Sequence, residues 1–138
     1  TGEACNNGTH EIDIARWGLQ ADYPIRVTSA GGRYAFNDDW ETPDTHTATF
    51  EFEGGKMINW ESRSCAPHPL EGIGRGVQFF GETGSLIVRD NNYVILDMNN
   101  EVVKDVQDTA AQTNSIDKTG PGERLDAMHI NNFYAAIR

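Results

Sequence analysis

The N-terminal part of the chain contains the stretch Asn6-Asn7-Gly8-Thr9-His10-Glu11-Ile12-Asp13-Ile14-Ala15-Arg16-Trp17-Gly18-Leu19. Gly8 suits a bend because glycine adopts backbone angles that other residues avoid, and Thr9 is a residue type that caps helix N-termini. Helical spacing then recurs at Ile12, Ala15, Arg16 and Leu19. Gly18 and Pro24 are expected to end the pattern. The stretch therefore predicts a short helix.

His10 is the candidate catalytic residue of this helix. In the first turn, the positive end of the helix dipole favours a neutral imidazole over a charged one. A neutral imidazole can accept a proton, as a general base must. The alternative from the residues alone is that His10 only caps the helix or packs against its neighbours.

The composition of the 138-residue chain indicates a globular domain, with 38% hydrophobic and 23% charged residues. Eleven Lys and Arg residues against 21 Asp and Glu residues give a net charge of −10. Such a surface repels phosphate backbones and anionic lipids, so we expect no nucleic-acid partner and no membrane partner.

The two cysteines, Cys5 and Cys65, form no disulfide framework, and no spacing of zinc ligands is present, so no metal is expected. The sequence lacks both an initiating Met and a signal-peptide pattern. We therefore expect an excised or processed segment, and a cytoplasmic protein.

The middle of the chain predicts eight short strands, at 25–30, 33–36, 45–53, 56–63, 76–80, 85–89, 93–98 and 101–106. The turn signals between them include Gly31-Gly32, Gly54-Gly55 and Asn99-Asn100, and such short connections require antiparallel pairing. Residues 107–122 are polar and are expected to be mobile or loosely packed, and 123–138 are expected to form a closing helix. The predicted fold class is α+β: an open, mainly antiparallel β-sheet with helices on one face.

Several apolar strand residues are open to two interpretations. They form either an uncovered second face of the sheet or an ordinary core: Phe50, Phe52, Val77, Phe79 and Ile87.

The opening stretch resembles the start of the C-terminal domain in the glucose–fructose oxidoreductase / inositol dehydrogenase (Gfo/Idh/MocA) family. Members carry the form Asp-x-Gly-x-His-x-x-Asp, entering a helix that ends near Trp-x-Leu-Gly. The matching residues here are Asn6, Gly8, His10, Asp13, Trp17 and Leu19. The likeness continues through Pro24-Ile25-Arg26-Val27, Phe80-Gly81-Glu82-Thr83-Gly84-Ser85-Leu86 and His129-Ile130-Asn131-Asn132-Phe133.

The resemblance implies that residues 1–138 form a single C-terminal substrate and oligomerisation domain, with an N-terminal Rossmann domain outside this chain. The full-length protein would then use NAD or NADP, whereas none is expected in this fragment, which would be inactive alone. The chain itself lacks a Gly-x-Gly-x-x-Gly fingerprint that opens a helix after a strand. The open sheet face would mediate a homo-oligomer.

The resemblance also implies site residues. His10 would take the proton of a sugar or polyol hydroxyl while the hydride leaves for the nicotinamide. Asn6 stands where the family carries a carboxylate, so it can hydrogen-bond but cannot supply charge. Asn6 and His10 are thus the predicted catalytic residues. Asp13 is a predicted substrate-binding residue, and its alternative is an ordinary exposed helix carboxylate.

The loop 64–75 is the other predicted substrate contact, because its donors and acceptors suit hydroxyl groups: His68, Glu71 and Arg75. For Arg75, the best of these, the alternative is a solvated surface charge. Trp40 lies in an acidic loop and is predicted to stack on a sugar ring, whereas Trp17 and Trp60 follow apolar patterns and are predicted to be core.

The predicted function is the substrate-binding and oligomerisation domain of an NAD(P)-dependent oxidoreductase acting on a sugar or polyol hydroxyl. One alternative is a redox-neutral glycosidase that uses bound NAD. Another is a non-catalytic carbohydrate-binding module on the same scaffold, which the absence of a carboxylate at Asn6 favours.

Overall fold

The computed structural model describes residues 2–66, 68–69, 72–89, 91–107 and 121–137, with the backbone only for 121–125. In chain order, the elements are a 3₁₀ turn at Glu3–Cys5, α1 at Gly8–Leu19, β1 at Arg26–Gly32, β2 at Thr45–Phe52, a 3₁₀ turn at Glu53–Gly55, β3 at Lys56–Arg63, β4 at Val77–Phe80, β5 at Gly84–Arg89, β6 at Asn92–Asp97, β7 at Val102–Val106 and α2 at Pro121–Ile137. The chain divides into two compact units, Thr1–Asp105 and Val106–Arg138.

The strands of the described residues form two sheets, with the orders β1-β2-β3 and β4-β5-β6-β7. Each pair with a known register is antiparallel, as in Ala48 opposite Trp60 and Phe79 opposite Leu86. The predicted α+β class with antiparallel sheet is therefore confirmed. The predicted hairpin turn between β2 and β3 is also confirmed, because Gly54 and Gly55 have φ angles of 76° and 73°.

The predicted strand at 33–36 and the predicted turn at Gly31-Gly32 are both wrong. Strand β1 continues through Gly32, and a Cβ atom on Gly31 would lie 2.6 Å from the backbone oxygen of Thr45. The close pairing of β1 with β2 therefore depends on glycine, which has no Cβ atom, at position 31. Residues 33–36 pair with no neighbouring strand, because the backbone N–H groups of residues 34–36 donate hydrogen bonds to one side chain instead.

That side chain is Asp44, which is 1% exposed. Its carboxylate accepts hydrogen bonds from the backbone N–H groups of Tyr34, Ala35 and Phe36, at 3.0–3.2 Å. Burial by itself would raise the pKa of this carboxyl group, but the hydrogen bonds from Ala35, Tyr34, Phe36 and the Thr45 hydroxyl outweigh it and lower the pKa to about 2. Asp44 therefore holds the connection between β1 and β2 in place.

Replacing Asp44 by asparagine is expected to lower the melting temperature by about 5–10 °C at neutral pH, because the ionised acceptor of three N–H groups is lost. Since the folded-state pKa is lowered, the contribution of Asp44 is present above its unfolded pKa of about 3.9 and is lost as the pH falls through about 2. Urea unfolding between about pH 5 and pH 2 measures this loss, which should be smaller in D44N. Asp39→Asn, at an exposed loop position, is the control, and an equal pH dependence in wild type and D44N would contradict the assignment.

The start of α1 differs from the prediction that Thr9 is its cap. The N-cap is Asn7 and the helix begins at Gly8, two residues earlier than predicted, and the Thr9 hydroxyl donates to the backbone oxygen of Cys5 at 3.0 Å. Gly8 is buried, and a Cβ atom there would lie 3.2 Å from the indole ring of Trp60. Glycine therefore allows a close approach to Trp60 at this position.

The end of α1 also differs, since Gly18 lies inside the helix. A Cβ atom on Gly18 would lie 2.5 Å from the ring of Phe79, so this position too allows a close approach. The helix ends at Leu19, after which Gln20 adopts a left-handed conformation with φ 51° and its N–H donates to carbonyl groups of the last turn.

The core lies beneath α1, which contacts both β3 and β4. Its buried members are Ala15, Phe52 and Ile58, and the residues packed against them are Leu19, Ala21, Phe50 and Val77. Phe50, Phe52 and Val77 thus belong to an ordinary core, as one of the two interpretations held. The prediction that Trp17 is core is wrong: its side chain is 83% exposed.

The closing helix is confirmed as α2, which runs from Pro121 to Ile137. The side chains of residues 126–137 are exposed. Most of the polar segment predicted at 107–122 lies outside the described residues.

Candidate functional site

Helix α1 divides its side chains between two stripes. The inner stripe is buried and comprises Gly8, Glu11 and Ala15. The outer stripe is exposed and follows helical spacing from the residue before the N-cap: Asn6, His10, Asp13 and Trp17. Three of the predicted site residues therefore share one exposed surface.

The outer stripe presents its polar groups freely. Asn6 directly precedes the helix N-cap Asn7 and ends the first 3₁₀ turn, where its backbone N–H donates to Gly2 and Glu3 at 3.1 Å. No hydrogen bond joins the side chains of Asn6 and His10, both of which the structure describes. The imidazole of His10 is therefore open to a ligand that approaches this face.

A cleft of about 530 Å³ opens beside the inner stripe, between the N-terminal end of α1, strand β3 and the loop that leads to β4. Its lining includes Asn7, Glu11, Trp60, Ser62, His68 and Arg75. A second cavity of about 340 Å³ lies under α1 and shares Glu11, Trp60 and Val77 with the cleft. The cleft is in the size range of small-molecule sites, roughly 300–1,000 Å³.

The polar centre of the cleft is Glu11, which is 8% exposed. The Nε of Arg75 donates to its Oε1 across 64 positions of sequence. Its Oε2 is buried and has no hydrogen-bond partner among the described residues, and the same holds for Nε1 of Trp60 and Oγ of Ser62. Three unsatisfied polar atoms thus belong to residues that line one cleft.

Sequence reasoning missed Glu11 and Ser62 as site residues. A signal for Glu11 was present, because it lies four residues before Ala15 and so carries a carboxylate into the apolar stripe of α1. Ser62 carried a weaker signal, the alternation of β3 that places it on the same face as Ile58 and Trp60.

The predicted site residues therefore divide into separate places. His68 and Arg75 line the cleft, whereas Asn6, His10 and Asp13 lie on the outer stripe. Trp40 is exposed in its loop, where its indole N–H donates to the Thr42 hydroxyl, and it lines neither cavity. Glu71 lies outside the described residues.

Other kinds of site were sought in the same part of the chain. Among the described residues, no group of three His, Cys, Asp or Glu side chains is placed to hold a metal ion. No helix within the described ranges combines the length and the apolar character that crossing a bilayer requires. Cys5 and Cys65 are free thiols.

Comparison with known families gives one match, to the GFO/IDH/MocA C-terminal domain, over residues 2–87. A search of curated proteins found no match. The matched range contains α1 with both of its stripes, the whole first sheet and the loop of the cleft. Because the match spans more than half of the chain and contains every group that builds the site, the protein belongs to the GFO/IDH/MocA C-terminal domain family.

Proposed function

We propose that this chain is the substrate-binding domain of an NAD(P)-dependent oxidoreductase that acts on a sugar or polyol hydroxyl. The family occurs in NAD(P)-dependent oxidoreductases in general, which supports the oxidoreductase part of the proposal. The observation that carries the proposal is the exposed His10 at the start of α1, one residue before the carboxylate that lines a ligand-sized cleft. In this proposal, a bound sugar extends from the imidazole of His10 on the outer stripe to the cleft beside Glu11.

In the proposed mechanism, His10 accepts the proton of the hydroxyl group that is oxidised. An imidazole in its neutral form can take up this proton. Asn6, four residues earlier, can donate or accept a hydrogen bond to the substrate but brings no charge. Asp13, one turn further along the outer stripe, is proposed to bind another hydroxyl group.

The hydride acceptor in this proposal is NAD or NADP held by a different domain. Such a cofactor supplies the two-electron chemistry that side chains lack. The chain itself has a net charge of −10 and no dinucleotide fingerprint, which fits a domain that presents substrate rather than the dinucleotide.

The test of the proposal is NAD or NADP reduction by the full-length protein with neutral sugars and polyols, followed by nicotinamide absorbance. Substrate-dependent reduction supports it. Release of product from a glycoside without net NADH or NADPH would favour the redox-neutral glycosidase instead.

A second candidate is a non-catalytic carbohydrate-binding module on the same scaffold. Asn6 favours it, because the position contributes no charge to orient the imidazole of His10 and no hydrogen bond joins the two side chains. Ligand binding without turnover in the full-length protein, with any glycoside or sugar tested, would support this candidate over the oxidoreductase.

We also propose that the chain forms a homo-oligomer through the sheet β4-β5-β6-β7. Strands β5 and β6 are apolar on both faces, yet none of their residues with described side chains is fully buried. Phe79 marks the face beneath α1, so Ile87 and Val94, which oppose each other in register, mark the other face. We propose that this face packs against the same face of a second copy of the chain.

Sedimentation velocity at micromolar concentration is expected to show an oligomer that Val94→Asp shifts toward the monomer, because a carboxylate in an apolar contact is costly. Thr47→Asp, on an exposed position of β2, is the control. A monomeric wild type, or equal sedimentation of wild type and V94D as oligomers, would argue against this interface.

The free thiols Cys5 and Cys65 suit a reducing compartment, and we extend the proposal to a cytoplasmic location.

A further inference from the structure

The buried atoms without partners in the cleft require an explanation. A buried polar group that lacks a hydrogen bond costs about 1–3 kcal/mol. Glu11 and Ser62 are each 8% exposed, and both leave an oxygen unsatisfied among the described residues. The indole N–H of Trp60 adds a donor without a partner. Such groups are expected where a ligand completes the hydrogen bonds.

The three groups offer a specific chemical pattern. The carboxylate oxygen of Glu11 accepts only, the indole of Trp60 donates only, and the hydroxyl of Ser62 can do either. A ligand that satisfies all three must carry both donors and acceptors. Adjacent hydroxyl groups on a carbon chain or ring provide this combination.

The charges of the cleft favour an uncharged ligand. Both guanidinium groups that line it are already paired, Arg75 with Glu11 and Arg63 with Glu61. The remaining described carboxylate of the lining is Glu3, which accepts a hydrogen bond from the Asn7 amide. A phosphate or carboxylate on the ligand would therefore meet a lining whose described charged residues are net negative.

We propose that Glu11, Ser62 and Trp60 form a recognition site for neutral polyhydroxylated ligands, and that this site discriminates against phosphorylated and acidic sugars. The inference rests on the proposed function for the claim that such a ligand is the substrate. It assigns to the inner stripe of α1 the recognition of hydroxyl groups that do not react. Arg75 is a positioning residue here, because it holds Oε1 of Glu11 and leaves Oε2 for the ligand.

Binding can be measured without turnover, by calorimetry and by saturation-transfer NMR on the full chain. The probes are myo-inositol, D-glucose and sorbitol, with glucose 6-phosphate and gluconate as their charged counterparts. We expect at least one neutral probe to bind and both charged probes to bind more weakly. Tighter binding of either charged probe than of every neutral one would overturn the discrimination.

Two variants test the assigned atoms. Glu11→Gln is expected to weaken the binding of the neutral probe about 10- to 100-fold, since it replaces a charged hydrogen bond. Ser62→Ala, which leaves the Glu11–Arg75 pair intact, is expected to weaken binding about 2- to 10-fold. Glu53→Gln, an exposed carboxylate in the β2–β3 turn, is the matched control and should bind as wild type does.

The outcomes separate this inference from the proposed function. The proposed site is overturned if E11Q and S62A both keep the wild-type affinity. It is also overturned if the wild type binds no neutral probe at millimolar concentration, and the unsatisfied atoms would then be explained by ordered water. If E11Q does not fold, as circular dichroism would show, S62A alone decides. Loss of binding in these variants supports the site even if the full-length protein reduces no nicotinamide, in which case only the oxidoreductase proposal fails.

Discussion

Replacing His10 by alanine in the full-length protein is expected to lower kcat/KM for sugar or polyol oxidation by about 100- to 10,000-fold, the usual contribution of a general base. Cofactor affinity should remain, because the dinucleotide is proposed to bind another domain. The measurement is steady-state reduction of NAD or NADP, with cofactor binding measured separately. The proposed proton acceptor would thereby be distinguished from a residue that merely supports the fold.

Asn6→Asp sharpens this test through its pH dependence. A carboxylate one turn from His10 would stabilise the imidazolium, which cannot accept a proton, so activity should be lost at a higher pH than in wild type. The acidic limb of kcat/KM against pH should therefore move upward. His46→Ala, a histidine of β2 that bonds Ser29 at 2.7 Å, is the control and should retain activity. Nearly full activity in H10A, or an unmoved acidic limb in N6D, would show that the assigned base is wrong.

Replacing Phe52 by alanine is expected to reduce the free energy of unfolding by about 3–5 kcal/mol. Phe52 is 5% exposed and lies with Ala15 and Ile58 at the centre of the core beneath α1. Few apolar residues of the described chain are buried to this degree, so Phe52 supplies a large share of the core. Domains of this kind are typically stable by about 5–15 kcal/mol, so the loss would be a large fraction of the total. Urea unfolding followed by circular dichroism measures it.

The same truncation at Phe80 provides the comparison. Phe80 is 80% exposed at the end of β4, and Phe80→Ala should change the unfolding free energy by about 0.5 kcal/mol or less. Similar losses in the two variants would mean that the packing beneath α1 does not dominate stability. A large loss confined to F80A would place the main core on the other side of β4.

The elements that local chemistry specifies were predictable from the sequence. Alternating strands separated by Gly54-Gly55 and Asn99-Asn100 predicted the hairpins, because Gly54, Gly55 and Asn100 adopt the left-handed angles that the turns use. Helical spacing likewise gave α1, and its polar residues gave the outer stripe with His10.

What local chemistry does not specify is which side chains meet across the fold. The strand predicted at 33–36 does not form, because its backbone N–H groups donate to the carboxylate of Asp44, eight to ten positions later in the sequence. Trp17 was predicted to be core from its apolar character, but α1 turns Trp17 outward and places Glu11 on the inner face. The pairing of Glu11 with Arg75 spans most of the first unit, and no periodicity reveals such a contact.

The two glycines of α1 have a consequence for how this scaffold can be redesigned. Gly8 and Gly18 rest on the rings of Trp60 and Phe79, at points about 15 Å apart along the helix. Because both contacts lie on one helix, a shift of the helix at either ring moves His10 and Glu11 together. To change the ligand specificity while keeping the proposed role of His10, Ser62 or the loop before β4 should therefore be altered. A larger side chain at either glycine would instead displace the proposed base His10 together with the proposed recognition residue Glu11.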